Sequence, residues 1–252
     1  MNANAKPKLT GRRFLILACR LAFLAWLVLT LWPVSYGITR LAQVLLVLAL
    51  WTGGMILWWQ IKLMRWGLVA AAVFCAGLVL LPGRASSASE LRERYVNELQ
   101  NYEGVRYVWG GENGFGIDCS GLIRRAMIQS LWKHGLQTAN AGLVRAAARL
   151  WWHDASARAM AAEYRNDTKK LFEVSSIQAH GADGLLPGDL AVTSDGVHVL
   201  AFLGGNQWIE ADPSAGKVLK LEAGTTVNRW LNLPVMFVRW RLLDQQLEPQ
   251  PF

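Results

Sequence analysis

Nineteen consecutive residues, Leu41 to Trp59, carry no charge, and an apolar run lies on either side of them. Phe14 to Val34 is broken only by Arg20, and Trp66 to Pro82 contains no charged residue. A helix needs about 20 mostly apolar residues to cross the hydrocarbon core, with roughly 17 as the short limit. The pattern predicts about three transmembrane helices, with Arg20 snorkelling toward the near end of the first. Trp32, Trp51, Trp58, Trp59 and Trp66 fall near the ends of these runs, where indole rings favour the headgroup layer. One span plus a buried helical hairpin is the other arrangement the pattern allows.

The distribution of charge follows the same division. The chain carries a formal charge of +8, yet residues 1–84 hold nine Lys and Arg and no acidic residue. Residues 85–252 hold 17 basic and 18 acidic residues, so the basicity belongs to the apolar third. No Lys/Arg run with interleaved aromatics occurs in the remainder, and a nucleic-acid partner is not expected. Lys6, Lys8, Arg12 and Arg13 precede the first run, Lys62 and Arg65 lie between the second and third, and only Arg40 lies in the first loop. The positive-inside rule then gives a cytoplasmic N-terminus. Three spans put the rest of the chain on the outer side of the inner (cytoplasmic) membrane. The expected organisation is a membrane region over 1–84, a linker over 85–90 and a folded domain over 91–245.

That domain holds one cysteine. Cys19 and Cys75 sit inside expected spans, where a small apolar packing role is usual. Cys119 has no disulfide partner in its own domain, and neither paired Cys motifs nor HExxH occurs. No metal or other cofactor is expected. Cys119 follows Tyr107-Val108-Trp109-Gly110-Gly111 and Asp118, and precedes Leu122, Ile123, Ala126, Met127 and Leu131 at helical spacing. Asp118 is a suitable N-cap for that helix. A thiol in the first turn lies among unpaired N–H groups at the positive end of the macrodipole, which favours the nucleophilic thiolate. The alternative is a buried core thiol.

The remainder reads as α+β. Ser87-Ala88-Ser89-Glu90 has capping-box spacing and predicts a helix to about Asn101. Ala141 to Arg165 reads as one helix with Leu143, Ala147, Trp151 and Ala155 on a face, serving as core packing or as a lid or interfacial helix that lays Trp151 and Trp152 over the cleft or against the membrane. Beyond Leu186 short strands follow, over Asp189–Thr193, Val197–Leu203, Gln207–Ala211, Lys217–Leu221 and Val235–Leu242. His134 and His153 fall on helices and His180 in a loop, whereas His198 lies in a strand that can hold an imidazole rigidly. If Val197–Leu203 pairs with Gln207–Ala211 across a short turn, opposed residue numbers sum to about 410. His198 then faces Asp212, with Glu210 diagonal on the same face. Either carboxylate could orient the imidazole, Glu210 having the better claim because Asp212 precedes Pro213 and suits a turn.

The series Tyr-x-Trp-Gly-Gly, Asp-Cys-Ser-Gly-Leu, Pro-Gly-Asp-Leu and a strand histidine ahead of Gly204-Gly205 resembles the NlpC-type (NlpC/p60) family of cell-wall cysteine peptidases, over roughly residues 90–221. The resemblance implies a papain-like fold, in which a nucleophile helix packs on an antiparallel sheet. It also implies cleavage of amide bonds in peptidoglycan stem peptides, commonly between D-glutamate and the diamino acid. On this resemblance Cys119 is the nucleophile, His198 the base, Glu210 the third polar residue and Tyr107 the hydroxyl beside the nucleophile. Asp118 and Ser120, with Trp109, become substrate-binding residues, the first two for the amine of a terminal L-alanine. Two departures stand out: Glu occupies a third position more often held by His, Asn or Gln, and an insertion spans about 130–184. The expected partners are peptidoglycan peptides and the lipid bilayer, with protein partners unspecified. A catalytically silent binding module, or an amidase or acyltransferase acting on another amide or lipid, are the competing functions.

Overall fold

The computed structural model describes residues 7–244. The apolar third forms three helices, α1 (Pro7–Leu31), α2 (Gly37–Trp58) and α3 (Lys62–Leu80). Among the described residues, Gly11–Leu31 and Gly37–Trp58 are long and apolar enough to cross a membrane. The third expected run, Trp66 to Pro82, overlaps α3 and passes its end, and α3 is not among the two helices that meet this length and apolarity. Large side chains project outward from all three helices, such as Phe14 (74% exposed), Ile38 (72%) and Val73 (66%). A water-facing surface so rich in apolar groups would be an aggregation liability, whereas hydrocarbon solvates it. Cys19 keeps its expected packing role: a Cβ added to Gly53 would lie 2.4 Å from Cys19 Sγ, so the missing side chain lets α1 and α2 close.

The domain begins with α4 (Ala88–Gln100), where Ser87 Oγ accepts the Glu90 N–H at 3.4 Å and Leu91, Tyr95, Val96 and Leu99 are buried. A short ribbon, β1 (Glu112–Asn113) and β2 (Gly116–Ile117), leads into α5 (Cys119–Gln137). After α6 (Ala141–Trp152) and α7 (Ala157–Ala161) come β3 (Thr168–Val174) and the single turn α8 (Ile177–His180). The strands β4 (Leu190–Thr193), β5 (Val199–Gly204), β6 (Gln207–Asp212), β7 (Lys217–Glu222) and β8 (Val235–Trp240) complete the chain. They form one antiparallel sheet in the order β3-β8-β4-β5-β6-β7.

Strand alternation explains where α5 lies. Leu190, Val192, Val199, Ala201 and Ile209 point to one face and pack with Leu122, Ile123, Ala126 and Met127 of α5. Ala191, Leu200, Phe202, Trp208 and Phe237 point to the other face and form a second core with Ile177 and Trp230. A helix packed on an antiparallel sheet is the expected α+β, papain-like arrangement. The expected register holds as well, since Ala201 pairs with Ile209 and Phe202 with Trp208.

The insertion differs from expectation. No single helix runs from Ala141 to Arg165: α6 ends at Trp152 and His153 is extended. Asp154 Oδ1 accepts from Arg124 at 2.6 Å, and Ser156 starts a new helix by accepting the Ala159 N–H at 3.3 Å. Tertiary pairing and a second cap override the helical periodicity here. Glu163, Arg165 and Asn166 then adopt positive φ and turn the chain into β3, an edge strand that was not anticipated. Its Lys169-Lys170 pair suits an exposed edge but hides the strand from a reading based on apolar alternation.

The apolar N-terminal helices and the rest of the chain are joined by more than their covalent link. The turn between α1 and α2 lies against the glycine-rich approach: Ser35 N–H donates to Gly110 O (3.1 Å) and Glu112 N–H to Pro33 O (2.9 Å). Asn113 Nδ2 donates to Trp32 O at 2.9 Å. A Cβ at Gly142 of α6 would approach Gly83 Cα to 3.0 Å, so both chains depend on glycine where they cross.

Candidate active site

Cys119 occupies the first position of α5, and Asp118 is its N-cap. The Asp118 carboxylate accepts the Gly121 N–H (2.6 Å), the Ser120 hydroxyl (3.0 Å) and the Gly110 N–H (2.8 Å). It thereby fastens the helix start to the glycine-rich approach. Gly121 must lack a side chain, because a Cβ there would lie 2.1 Å from Gly111 O. Gly111 and Gly121 are thus explained by close backbone crossing before and after the thiol, and Gly110 by its positive φ of 72°.

The thiol is buried and its Sγ lies 3.9 Å from Val197 O, to which it donates. The Val199 amide also interacts with it, so the thiol meets the backbone on both sides of His198. Burial, and then the Asp118 charge, push the thiol up to about 12. This overturns the expectation of a resting thiolate. Backbone groups at the helix start do favour the anion, but the loss of water outweighs them.

His198 sits between the Asp195-Gly196 turn and β5. Its N–H donates to Thr193 Oγ1 (3.0 Å), its carbonyl accepts from Thr193 N–H (3.0 Å), and its ring stacks on Trp230 with centroids 4.0 Å apart. Nε2 lies 2.5 Å from Glu210 Oε2 in a buried pair. Glu210 Oε1 accepts from Asn228 Nδ2 at 2.8 Å. Burial raises the Glu210 carboxyl above its usual range, and the bond to His198 opposes that shift. Of the two candidate carboxylates, Glu210 meets the imidazole. Asp212 turns the chain instead, with Oδ1 accepting from Ser214 N–H at 2.6 Å.

The other expected site residues gather around the thiol. Asp118, Ser120 and Trp109 line a cavity of about 440 Å³ that also holds Cys119. Trp109 is 73% exposed at its rim. Tyr107 is half-buried, and its phenol is raised by burial and then by the Cys119 and Asp118 charges nearby. The other histidines stand apart: His134 Nε2 meets Ser86 Oγ (3.0 Å), His153 ends α6, and His180 Nε2 meets Asp183 O (3.0 Å).

Several residues were not anticipated. Asn228 caps the short 3-10 helix Arg229–Asn232 that carries Trp230, and nothing local to that helix signals that both residues meet the His198–Glu210 pair. Arg40 was read only as a loop charge, yet it is 1% exposed and lines the cavity. Its Nη2 donates to Glu112 Oε2 at 2.7 Å, and Arg124 Nη1 lies 2.5 Å from Glu112 Oε1. The apolar helix α2 therefore supplies part of the cavity wall.

The model of the NlpC/P60 family matches residues 104–230, half of the chain. This protein belongs to the NlpC/P60 family. Among solved structures, NlpC1 from Trichomonas vaginalis is 19% identical with a TM-score of 0.40, covering 63% of this chain and 46% of that one. The peptidoglycan hydrolase RipB from Mycobacterium tuberculosis is 22% identical with a TM-score of 0.36, covering 59% and 65%. The P60 domain of an antigen from M. avium subspecies paratuberculosis is 21% identical with a TM-score of 0.36, covering 59% and 95%. The chain thus spans about half the length of the Trichomonas protein. No curated protein matches it. In this NlpC/P60 chain the family match ends at the turn that carries Trp230, so it takes in the thiol, the histidine and Glu210.

Proposed function

We propose that this protein is a membrane-anchored cysteine peptidase that hydrolyses amide bonds in peptidoglycan stem peptides, the bond between D-glutamate and the diamino acid being the favoured one. The observation that carries this reading is the seating of the Cys119 thiol against the backbone on either side of His198, whose ring Glu210 holds at 2.5 Å. Membership of the NlpC/P60 family supplies the substrate class.

The chemistry follows from those positions. Glu210 holds Nε2, which leaves Nδ1 for the thiol proton. Because the resting thiol keeps its proton, transfer to His198 accompanies substrate binding, when the cavity rearranges around the scissile carbonyl. The thiolate attacks that carbon, and the Cys119 N–H with the Tyr107 hydroxyl meets the oxyanion. The imidazolium then protonates the leaving amine, and an acyl-enzyme remains. His198 next takes a proton from water, which releases the acid and restores the thiol. Asp118 has spent three acceptor sites on the backbone and Ser120, so a substrate ammonium takes the remaining one. The domain faces the wall from the outer side of the inner membrane, with 1–84 as anchor and 91–245 as catalytic unit.

A second reading has one observation in its favour. The thiol donates to Val197 O and holds its proton tightly, as a silent wall-peptide-binding module would. Purified peptidoglycan separates the two. Wild-type protein should release cleaved stem peptides and Cys119→Ala should not, whereas a binding module retains peptide and releases nothing in either form.

A further inference from the structure

A second cavity opens beside the catalytic one. It measures about 400 Å³, and its walls are mostly apolar residues of α1 and α2, among them Trp26, Leu29, Val44, Val47 and Leu48. Ser35 and Glu112 line both cavities and form the wall that the groove shares with the chamber holding Cys119. Gln43 at the groove is already satisfied, donating to Leu29 O at 3.1 Å. Thr30 and Gln43 are the polar residues that α1 and α2 contribute, and the domain contributes Glu112, Asn113 and Arg125.

We propose that the substrate is a lipid-linked amide, whose hydrocarbon chain lies in the α1–α2 groove while its amide bond reaches Cys119. This rests on the cysteine-peptidase reading and on the membrane anchor, and it adds the carrier of the amide. Three observations select a chain as occupant. The groove lies between two helices long and apolar enough to cross a membrane, and on the proposed membrane anchor its open side faces hydrocarbon. Its lining is apolar on α1 and α2 but for Thr30 and Gln43, and charged where the domain contributes Glu112 and Arg125, which suits an amphiphile. Its size also disfavours a protein helix: a helix about 10 Å across fills roughly that volume with a single turn, which is too little to dock. The turn between α1 and α2 gives the arrangement a purpose, because Ser35 and Tyr36 wall the catalytic cavity and bring it to the membrane surface.

The test uses full-length protein in mixed micelles, with stem tripeptides bearing short, medium or long alkyl chains at either end. At one end, kcat/KM should climb by about threefold to fourfold for each added methylene until the groove is full. Val47→Trp or Leu48→Trp, each filling the groove from an exposed position, should collapse the ratio of long-chain to short-chain kcat/KM. An equal kcat/KM for short and long chains overturns the inference and leaves the peptidase reading intact. A preference that both tryptophan variants retain marks simple partitioning into micelles, and also overturns it. So does a groove variant that keeps the preference but changes the particle mass in detergent, because the groove would then dock another helix. If no amide is cleaved, short or long, the peptidase reading itself fails.

Discussion

Removing the Arg40 guanidinium tests whether the α1–α2 hairpin and the cavity wall beside Cys119 act as one structure. Arg40 and Glu112 are 1% and 6% exposed and meet at 2.7 Å. Losing one partner of a buried pair costs about 3–5 kcal/mol when nothing replaces it. Here Arg124 remains 2.5 Å from the other Glu112 oxygen. Arg40→Met should therefore fall below that range, at about 2 kcal/mol, including the donor lost by Ser35 Oγ. In a chain of this size that corresponds to a melting temperature lower by roughly 4–8 °C. The double variant Arg40→Met with Glu112→Gln should recover about 1 kcal/mol, because Glu112 no longer carries a buried charge with one cation removed, while Arg124 keeps Asp154 at 2.6 Å. The sign with pH is also fixed. Burial already raises the Glu112 carboxyl, and Arg124 and Arg40 pull it back. Without Arg40 its folded value rises further above the unfolded one, so the variant loses stability as pH rises from the unfolded carboxyl value through the folded one. Thermal unfolding in detergent from pH 4 to pH 8 reads this. A single variant within about 0.5 kcal/mol of wild type, or singles whose costs merely add, would refute the reasoning.

Three further outcomes follow from the site. Glu210→Gln should lower kcat about 10²- to 10⁴-fold with KM little changed, because the imidazole loses its charged partner; steady-state rates on a soluble stem peptide decide this, and a change under threefold contradicts it. Alkylation of Cys119 by iodoacetamide in the peptide-free protein should keep rising past the ordinary thiol value of about 8.5, since burial pushes the thiol up to about 12. A plateau below pH 8 would mean a resting thiolate. Gly121→Ala should prevent folding or lower the melting temperature by more than roughly 5 °C, given the 2.1 Å approach of its Cβ to Gly111 O; a melting temperature like wild type's refutes that.

The parts of this fold legible in the sequence are those where local chemistry and tertiary structure agree. The N-cap at Asp118, the cap at Ser87, and the pairing of β5 with β6 each follow from short-range patterns that the fold retains. Glu210 could be chosen over Asp212 because the pairing register keeps it within a strand and on the histidine's face. What stayed hidden depends on distant contacts. The break after Trp152 serves Arg124, thirty residues earlier. The edge strand β3 carries lysines that suit its exposure and mask its pattern. The raised thiol value could not be read from a helix start, because the macrodipole argument knows the position of the sulfur but not how little water reaches it. Arg40 was the least legible of all: a lone arginine in a membrane loop signals topology, and only the folded chain brings it to Glu112 beside the thiol.

The central claim is that Cys119 cuts wall peptides by covalent catalysis. Its most direct measurement is intact mass spectrometry of the protein quenched during turnover of purified stem peptide, run beside Cys119→Ala. An added mass equal to the acyl fragment is expected on Cys119 in the wild type and not in the variant, which should also release no product. Peptide release by Cys119→Ala at the wild-type rate would contradict it.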